Sequence, residues 1–578
     1  MIDYTIPPFL IFFFGAALIP VLGKGRVRNI FLVALAVLGI VSVVILKPQT
    51  GWILPILPGV ELILLQADRL SLIMGYIFAL AGGGAIVYAL STVKEAGQYV
   101  CALLYMGSAL GAVFAGDFFT LYIFWEIMAF SSLGLIWYEG SRRARDAGMR
   151  YILFHLFGGA ALLAGIIVHY VDTNEIVLGP VEPGVGYFLL LLGIGVNAAF
   201  IPLHTWLPDS YPKATIAGTI FLSIFTTKTG IYVLARTFSG VEAVAYMGGV
   251  MCLYGVIFAI LQNDVRKLLS YHIVSQLGYM VAGVGMAAGI EREIAINGAI
   301  AHLFNNLLFK TTLFMCMGAV IYATGKNNLT ELGGLAKKMP VTMITCVIAA
   351  LSISGVVGFN GYVSKGMVIH AAQVEGLSIL TIALTLGSVG TLISFLKLTY
   401  FAFFRKNEEI EAKEAPLPML VPMCVTAFLC VAIGVYPKLL YALLPYQEAA
   451  LHYHAYEAGH TFGVIELLLM TVFLFFMLGF FVPHDKITYD VDHLYRKAGR
   501  GFIWFCEKPL MSFALVVERA VLRIADYFAR FGTLEEAESQ AVEEPVVSVS
   551  IGTAVLLVLL FFTLYLIVML IHGWLISP

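Results

Sequence analysis

Apolar runs of about 17 to 25 residues, the length a helix needs to cross the hydrocarbon of a bilayer, succeed one another along nearly the whole chain. They fall near residues 7–22, 28–47, 70–92, 99–115, 117–138, 150–170, 186–206, 213–238, 243–263, 267–287, 296–322, 341–371, 376–403, 417–436, 463–482 and 549–575. The pattern predicts about sixteen membrane helices joined by polar connections. Residues 52–66, interrupted by Pro55 and Pro58, are predicted to form an extramembrane loop or hairpin instead. The first run has no basic segment before it and no small-residue cleavage pattern after it, which predicts a retained helix.

Positive charge tests this list independently, because Lys and Arg collect in cytoplasmic loops. Connections after odd-numbered spans carry Lys24, Arg26 and Arg28; Lys94; Arg142, Arg143, Arg145 and Arg150; Lys213; Arg266 and Lys267; Lys326, Lys337 and Lys338; and Arg405, Lys406 and Lys413. Connections after even-numbered spans carry mostly acids, among them Asp68, Asp172, Glu175, Glu182, Glu242, Glu291, Glu293 and Glu375. The alternation predicts a multi-pass protein of the cell's inner (plasma) membrane, with its N-terminus outside and its basic loops in the cytoplasm.

Beyond the fifteenth span the pattern changes. Within residues 484–546, Leu510, Phe513, Val517, Val521, Ile524 and Phe528 recur at helical spacing with Glu518, Arg519, Arg523 and Asp526 between them. About 23 such residues predict an amphipathic helix of roughly 35 Å along the cytoplasmic surface. It would either join two spans or act as a strut against a neighbouring subunit. An acidic stretch then leads into the final span.

Composition narrows the chemistry. With 60% hydrophobic and 12% charged residues among 578, no soluble domain of this size is compatible with the chain. Seven Cys without a C-x-x-C pair supply neither an iron-sulfur nor a zinc pattern. There is no Rossmann glycine pattern, hydrolytic triad or quinone motif, so neither a cofactor, a metal site nor catalytic chemistry is expected here. Redox chemistry would belong to partners, and nothing points to nucleic acid. His452, His454 and His460 are predicted as solvated loop residues, and Gly82, Gly83 and Gly84 as close helix packing.

What remains is a set of polar groups at bilayer depth. Lys228 lies near the middle of the eighth span, where a cation costs roughly 2.5 to 3.5 kcal/mol, so the folded bundle must solvate it. Arg236 follows it by eight residues, and Lys397 is followed by Arg405 at the same spacing. The span before each is broken, by Pro202 and Pro208 in the seventh and by Gly355, Gly358 and Gly361 in the twelfth. Paired interrupted helices predict an inverted-repeat transporter. The expected fold is an all-α polytopic membrane protein with about 14 core transmembrane helices, two inverted five-helix repeats, a lateral amphipathic helix and extra spans. The predicted division is 1–98 for the N-terminal helices, 99–240 and 241–405 for the repeats, 406–483 for the last core helices, 484–546 for the lateral segment and 547–578 for the final span. Glu126, Asn197, His204, Lys228, His272, His302, Asn305, Asn306, Lys310, Lys365 and Lys397 form a row of groups able to pass protons through water across the low-dielectric slab.

At these residues the chain resembles the antiporter-like membrane subunits shared by Mrp cation/proton antiporters, respiratory complex I and membrane-bound hydrogenases. The resemblance covers about residues 60–440. It rests on the runs FWEIMAFSS, IPLHTWLPDSYPKA, TKTGIYVLAR, NDVRKLLSYHIVSQLGYM, AHLFNNLLFKTTLF and GFNGYVSK. The run LLSYHIVSQLGYM is most similar to the D subunit of Mrp antiporters, whereas the lateral helix and extra span resemble the longer complex I-type distal subunit. The resemblance implies that Glu126, Lys228, His302, Lys310 and Lys365 occupy the family's pathway positions, with a half-channel ending at Lys228, a polar axis through His302 and Lys310, and an exit at Lys365. Lys397 is added by the internal repeat alone.

Two positions depart from the family's pattern. The helix-seven lysine is replaced by Asn197, which removes the usual ion-pair partner of Glu126, and the second histidine of H-x-x-x-H is Asn306, which cannot relay a proton by titrating. Three readings follow. Lys228 takes over the pairing with Glu126, a cation such as Na+ binds near Glu126 and Asn197, or transport is lost and the chain is a structural connector. The expected function is proton conduction within a multi-subunit membrane complex, coupled to Na+ or another cation or to a redox module, as in an ion-translocating oxidoreductase. A stand-alone secondary transporter is the alternative of a different class.

Overall fold

The structure, a computed structural model, describes residues 6–57, 60–407, 409–478, 483 and 490–532. By its internal packing the chain divides into two units, Met1–Asp492 and His493–Pro578.

The first unit begins with α1 (Pro8–Leu18) and α2 (Arg26–Val44), then the antiparallel hairpin β1 (Gly51–Leu57) and β2 (Val60–Gln66). Pro55, which argues against a span, is here accommodated in a hairpin with register shifts. There follow α3 (Arg69–Ala89), α4 (Ala96–Phe114), α5 (Phe118–Trp137) and the long α6 (Arg142–Thr173). The seventh span is split into α7 (Val185–Asn197) and the short α8 (Trp206–Ser210), and the eighth into α9 (Ile216–Ile224) and α10 (Thr226–Thr237). Next come α11 (Glu242–Leu261), α12 (Val265–Gly285) and α13 (Arg292–Thr324). The twelfth span is split into α14 (Pro340–Ser354) and α15 (Asn360–Val374). The first unit closes with α16 (Ser378–Thr399), α17 (Leu417–Val435), the short α18 (Lys438–Tyr441) and α19 (Gln447–His452), and α20 (Ala458–Leu478). Among the described residues, eleven helices are long and apolar enough to cross a membrane, and α1, α7 and α14 are shorter apolar helices.

The breaks have local causes. Pro202 lacks a backbone N–H and cannot continue a helical ladder, whereas Pro208 sits in the first turn of α8, where no intrahelical acceptor awaits its missing N–H. At the second break Gly355 and Gly358 take φ of +76° and +92°, which side-chain-bearing residues avoid, so α14 stops and the chain restarts at Asn360. The helices beside the first break approach closely: a Cβ on Gly193 of α7 would stand 2.7 Å from the Gly158 carbonyl oxygen of α6. Small residues permit this approach, and dispersion rather than hydrophobic burial holds such a contact inside lipid.

The connections sort onto two faces. Lys24 and Glu95 pair at 3.3 Å, Arg28 donates to the Lys94 carbonyl, and Arg266 donates to the Ala214 carbonyl, so basic connections meet basic connections. On the other face Arg236 pairs with Asp68 at 2.6 Å, and Asp117 accepts from the Ile63 N–H.

The second unit carries α21, which starts at the junction (Asp492–Phe505), and α22 (Met511–Gly532). A π-helical turn at Cys506–Leu510 joins them. The predicted apolar stripe lies on a longer element than expected: 492–532 is helical throughout, about 60 Å at 1.5 Å per residue. The predicted final span at 549–575 lies outside the described residues.

Candidate functional site

The polar row runs through the interior of the first unit. Lys228, Lys310, Lys365 and Lys397 are 0%, 0%, 3% and 2% exposed, and His204, His272 and His302 are fully buried. Such groups are not the lipid-facing exceptions tolerated at helix ends.

Lys228 sits just past the discontinuity between α9 and α10. There it donates to the carbonyl of Ser223 at 2.7 Å. It does not take over the pairing with Glu126, whose carboxylate lies against α6 instead. A Cβ on Gly159 would fall 2.0 Å from Glu126 Oε1, and among the described residues that oxygen has no hydrogen-bond partner. Nor do Glu126 and Asn197 converge on one cation: the Asn197 amide oxygen is 2.8 Å from His155 Nδ1. No group of three or more His, Cys, Asp or Glu able to hold a metal occurs among the described residues.

From Lys228 the row continues to Lys310 on α13. Lys310 Nζ stands 5.7 Å from the ring of Phe395, and the His272 ring is 4.7 Å from the same ring. Tyr279 links the next pair, its ring 5.3 Å from His302 and 4.8 Å from Lys365 Nζ. His302 Nδ1 meets Ser364 Oγ at 3.1 Å, which ties α13 to the restarted helix α15. Asn305 and Asn360 exchange hydrogen bonds across the second break, at 2.8 and 3.2 Å. The sequence-derived residues His272, His302, Asn305, Lys310 and Lys365 are thus brought together. Asn306 lies beside them on α13 with its amide nitrogen unpartnered among the described residues.

A cavity of about 750 Å³ lies beside Lys365, lined among others by Glu291, Tyr362, His370, His454 and His460. Its polar walls come from α15, α16 and α20 together with the connections that carry Glu291, His454 and Glu457. His454 is an exposed loop residue as expected, whereas His460 lies on α20 with its Nδ1 3.1 Å from the Tyr362 hydroxyl. No spacing in the sequence relates His370 to His460, since they meet only through the packing of α15 and α20.

Two predicted residues lie apart from this row. Lys397 donates to the carbonyls of Ile260 and Gln262 at 2.7 and 2.8 Å, capping the C-terminal end of α11 on the basic face. His204, in the first break, pairs with Asp490 at 3.4 Å, and Asp490 also accepts from Tyr254 and Tyr271. Burial would raise the Asp490 carboxyl, but His204 and the tyrosine hydroxyls outweigh it and hold it at about 2. Asp490, His155 and Tyr279 are absent from the sequence-derived set. Of these only His155 left a trace, as a lone histidine inside an apolar run.

Comparison with known proteins agrees with this architecture. Residues 115–394 match the family described as NADH:quinone oxidoreductase/Mrp antiporter, TM. The chain is 32% identical over 390 residues to the A subunit of the Na(+)/H(+) antiporter of Bacillus subtilis, covering 60% of this chain and 48% of that protein. It is 31% identical over 421 residues to the corresponding A subunit of Alkalihalophilus pseudofirmus, covering 64% and 52%. The chain spans about half the length of the curated relatives it matches, and these are A subunits, whereas LLSYHIVSQLGYM resembles the D subunit. In solved structures, a chain of the Mrp complex from Dietzia sp. superposes with a TM-score of 0.70 at 23% identity, covering 80% of this chain and 98% of that one. A chain of the membrane-bound sulfane sulfur reductase, an archaeal respiratory membrane complex, gives 0.71 at 24% identity, covering 97% and 99%. Residues 115–394 therefore match the NADH:quinone oxidoreductase/Mrp antiporter transmembrane family, and the chain has the fold of the multi-pass membrane subunits it superposes on.

Proposed function

We propose that the chain is a proton-conducting subunit of a multi-subunit membrane complex, carrying protons along Lys228, Lys310, His272, His302 and Lys365 in exchange for Na+ or another cation, or under the drive of a redox module. One observation carries this reading. Both nitrogens of His272, His302 Nε2, Lys310 Nζ, Lys365 Nζ, Asn306 Nδ2 and Gln276 Oε1 are buried without a protein hydrogen-bond partner among the described residues. Each such atom left dry costs about 1 to 3 kcal/mol, more when charged. A stable bundle holds this many together only when water reaches them, and a hydrated file of basic groups is a proton path. The cavity beside Lys365 supplies access from the acidic face, which in the charge-derived orientation is the outside.

The likeness to Mrp A subunits and to a respiratory membrane chain supports other membrane subunits as partners and the plasma membrane as the site. Asn197 in place of the family's lysine favours the connector as the second reading. Vesicles holding the native assembly and a pH-sensitive dye test the proposal. An imposed Na+ or K+ gradient, or a reductant for the attached module, should move protons, and identification of the co-migrating subunits names the drive. Vesicles that hold the assembled complex yet move no protons under any of these would leave the connector standing.

A further inference from the structure

α20 differs from every other long apolar helix of the first unit in how little of it is covered. Its membrane stretch is 6% buried, whereas each of the other ten buries 39% or more. One side of α20, with His460, Val464 and Thr471, lines the cavity beside Lys365. On the opposite side Phe462, Ile465, Leu469, Met470 and Phe473 surround Glu466. Phe462, Leu469, Met470 and Phe473 are each at least 60% exposed, and Glu466 is exposed with them.

The depth of Glu466 follows from its neighbour α15. The half-helices α14 and α15 have 15 residues each, so the break between them lies about midway between the two faces. α15 ends at the connection bearing Glu375, which accepts from the Glu291 N–H, and Glu291 lines the same cavity as Glu457, just before α20. α15 therefore runs towards the face from which α20 starts. Gly366 of α15 lies against His460, since an added Cβ would stand 3.1 Å from His460 Cε1. Six residues onward, about 9 Å at 1.5 Å per residue, Glu466 is level with Asn360, where α15 restarts. A carboxylate thus faces away from the bundle near the middle of the bilayer, and among the described residues no ion pair or hydrogen bond involves it.

Acidic side chains at that depth face a bundle interior or are paired, because hydrocarbon solvates no charge. Lipid tails bring neither a donor nor a countercharge. A second copy of this chain docked by the same face would set Glu466 against Glu466, since a two-fold contact is self-complementary. The chain's own apolar run 549–575 has no Lys or Arg, and its only histidine, His572, lies near its end. We propose that the outer face of α20 docks a transmembrane helix of another subunit, one that sets an Arg or Lys against Glu466 while its apolar side chains cover Phe462, Leu469, Met470 and Phe473. The inference rests on the multi-subunit part of the proposed function and not on its proton path.

The test uses the native assembly, purified in mild detergent. p-Benzoylphenylalanine placed at Phe462 or at Phe473, on either side of Glu466, should photo-crosslink to one and the same partner subunit, in a transmembrane segment that carries an Arg or Lys. Glu466→Lys should lower the amount of that subunit retained at least tenfold, and exchanging the partner's basic residue for Glu should recover at least a third of the loss. Glu466→Gln, which keeps the shape and brings no new charge into the bilayer, should lower retention at least threefold. Retention at the wild-type level in Glu466→Gln would mean an unpaired, protonated side chain and overturns the pairing. Crosslinks to lipid alone, to residues 549–575 or to a second copy of this chain overturn the assignment and leave the multi-subunit reading intact. A chain that purifies with no other subunit ends both.

Discussion

Lys365 Nζ stands 4.8 Å from the centroid of the Tyr279 ring, and the same ring lies 5.3 Å from His302. Tyr279 is held from behind, its hydroxyl donating to the Leu384 carbonyl at 2.6 Å and meeting Ser388 at 2.7 Å. One immobilised aromatic face thus serves both basic groups, a contact worth about 0.5 to 2 kcal/mol to a desolvated cation. Tyr279→Leu should slow proton transport about tenfold without loss of the complex, whereas Tyr279→Phe, which keeps the ring and frees its edge, should retain more. Dye-based flux in vesicles, normalised to assembled protein, distinguishes the two.

Lys228→Ala and Lys365→Ala should each abolish ion-coupled proton movement. Among the described residues neither ammonium is part of an ion pair that holds helices together, so assembly should survive, as native gel migration can show. Transport at wild-type rate in both variants would support the connector reading.

Asp490 gives a pH dependence with a definite sign. Its folded pKa, about 2, lies below the ordinary carboxyl value of 3.8. Its contribution is therefore complete above about pH 4, where the unfolded carboxyl is already ionised, and is lost as pH falls towards 2. The shift corresponds to about 2 kcal/mol. In detergent, Asp490→Asn should melt below wild type at pH 6, and the gap should close progressively on acidification below pH 4. An unchanged gap at pH 3 would mean that the carboxylate's charge is not what holds the contact.

Lys397 belongs to the internal repeat by spacing, yet its ammonium caps two carbonyls at the end of α11. Lys397→Met should therefore lower stability by about 1 to 3 kcal/mol, the cost of leaving buried acceptors without a donor, while transport per assembled complex stays within about twofold. A thermal-shift measurement alongside flux separates the outcomes. Full stability with lost transport would return Lys397 to the pathway.

Most of the architecture was legible because lipid imposes length and polarity on every segment that crosses it. The hairpin at Gly51–Gln66 followed from its prolines, and the break before Asn360 from its glycines. Lys228, His302, Lys310 and Lys365 stood out as charge where charge is costly. What escaped were relations that only folding creates. His370 and His460 meet across a cavity from helices far apart in sequence, and Asp490 reads as one more acid in a charged stretch until it is placed against His204. His155 was overlooked because a single histidine in an apolar run is usually a packing residue. Lys397 was singled out by its spacing to an arginine, which says nothing about the two carbonyls its ammonium touches.

Phe395 presents one ring to both Lys310 and His272, 5.7 Å from the ammonium and 4.7 Å from the imidazole. A benzene ring neither donates nor accepts a proton, so on the proposed path any exchange between these two groups would have to run through water around that ring.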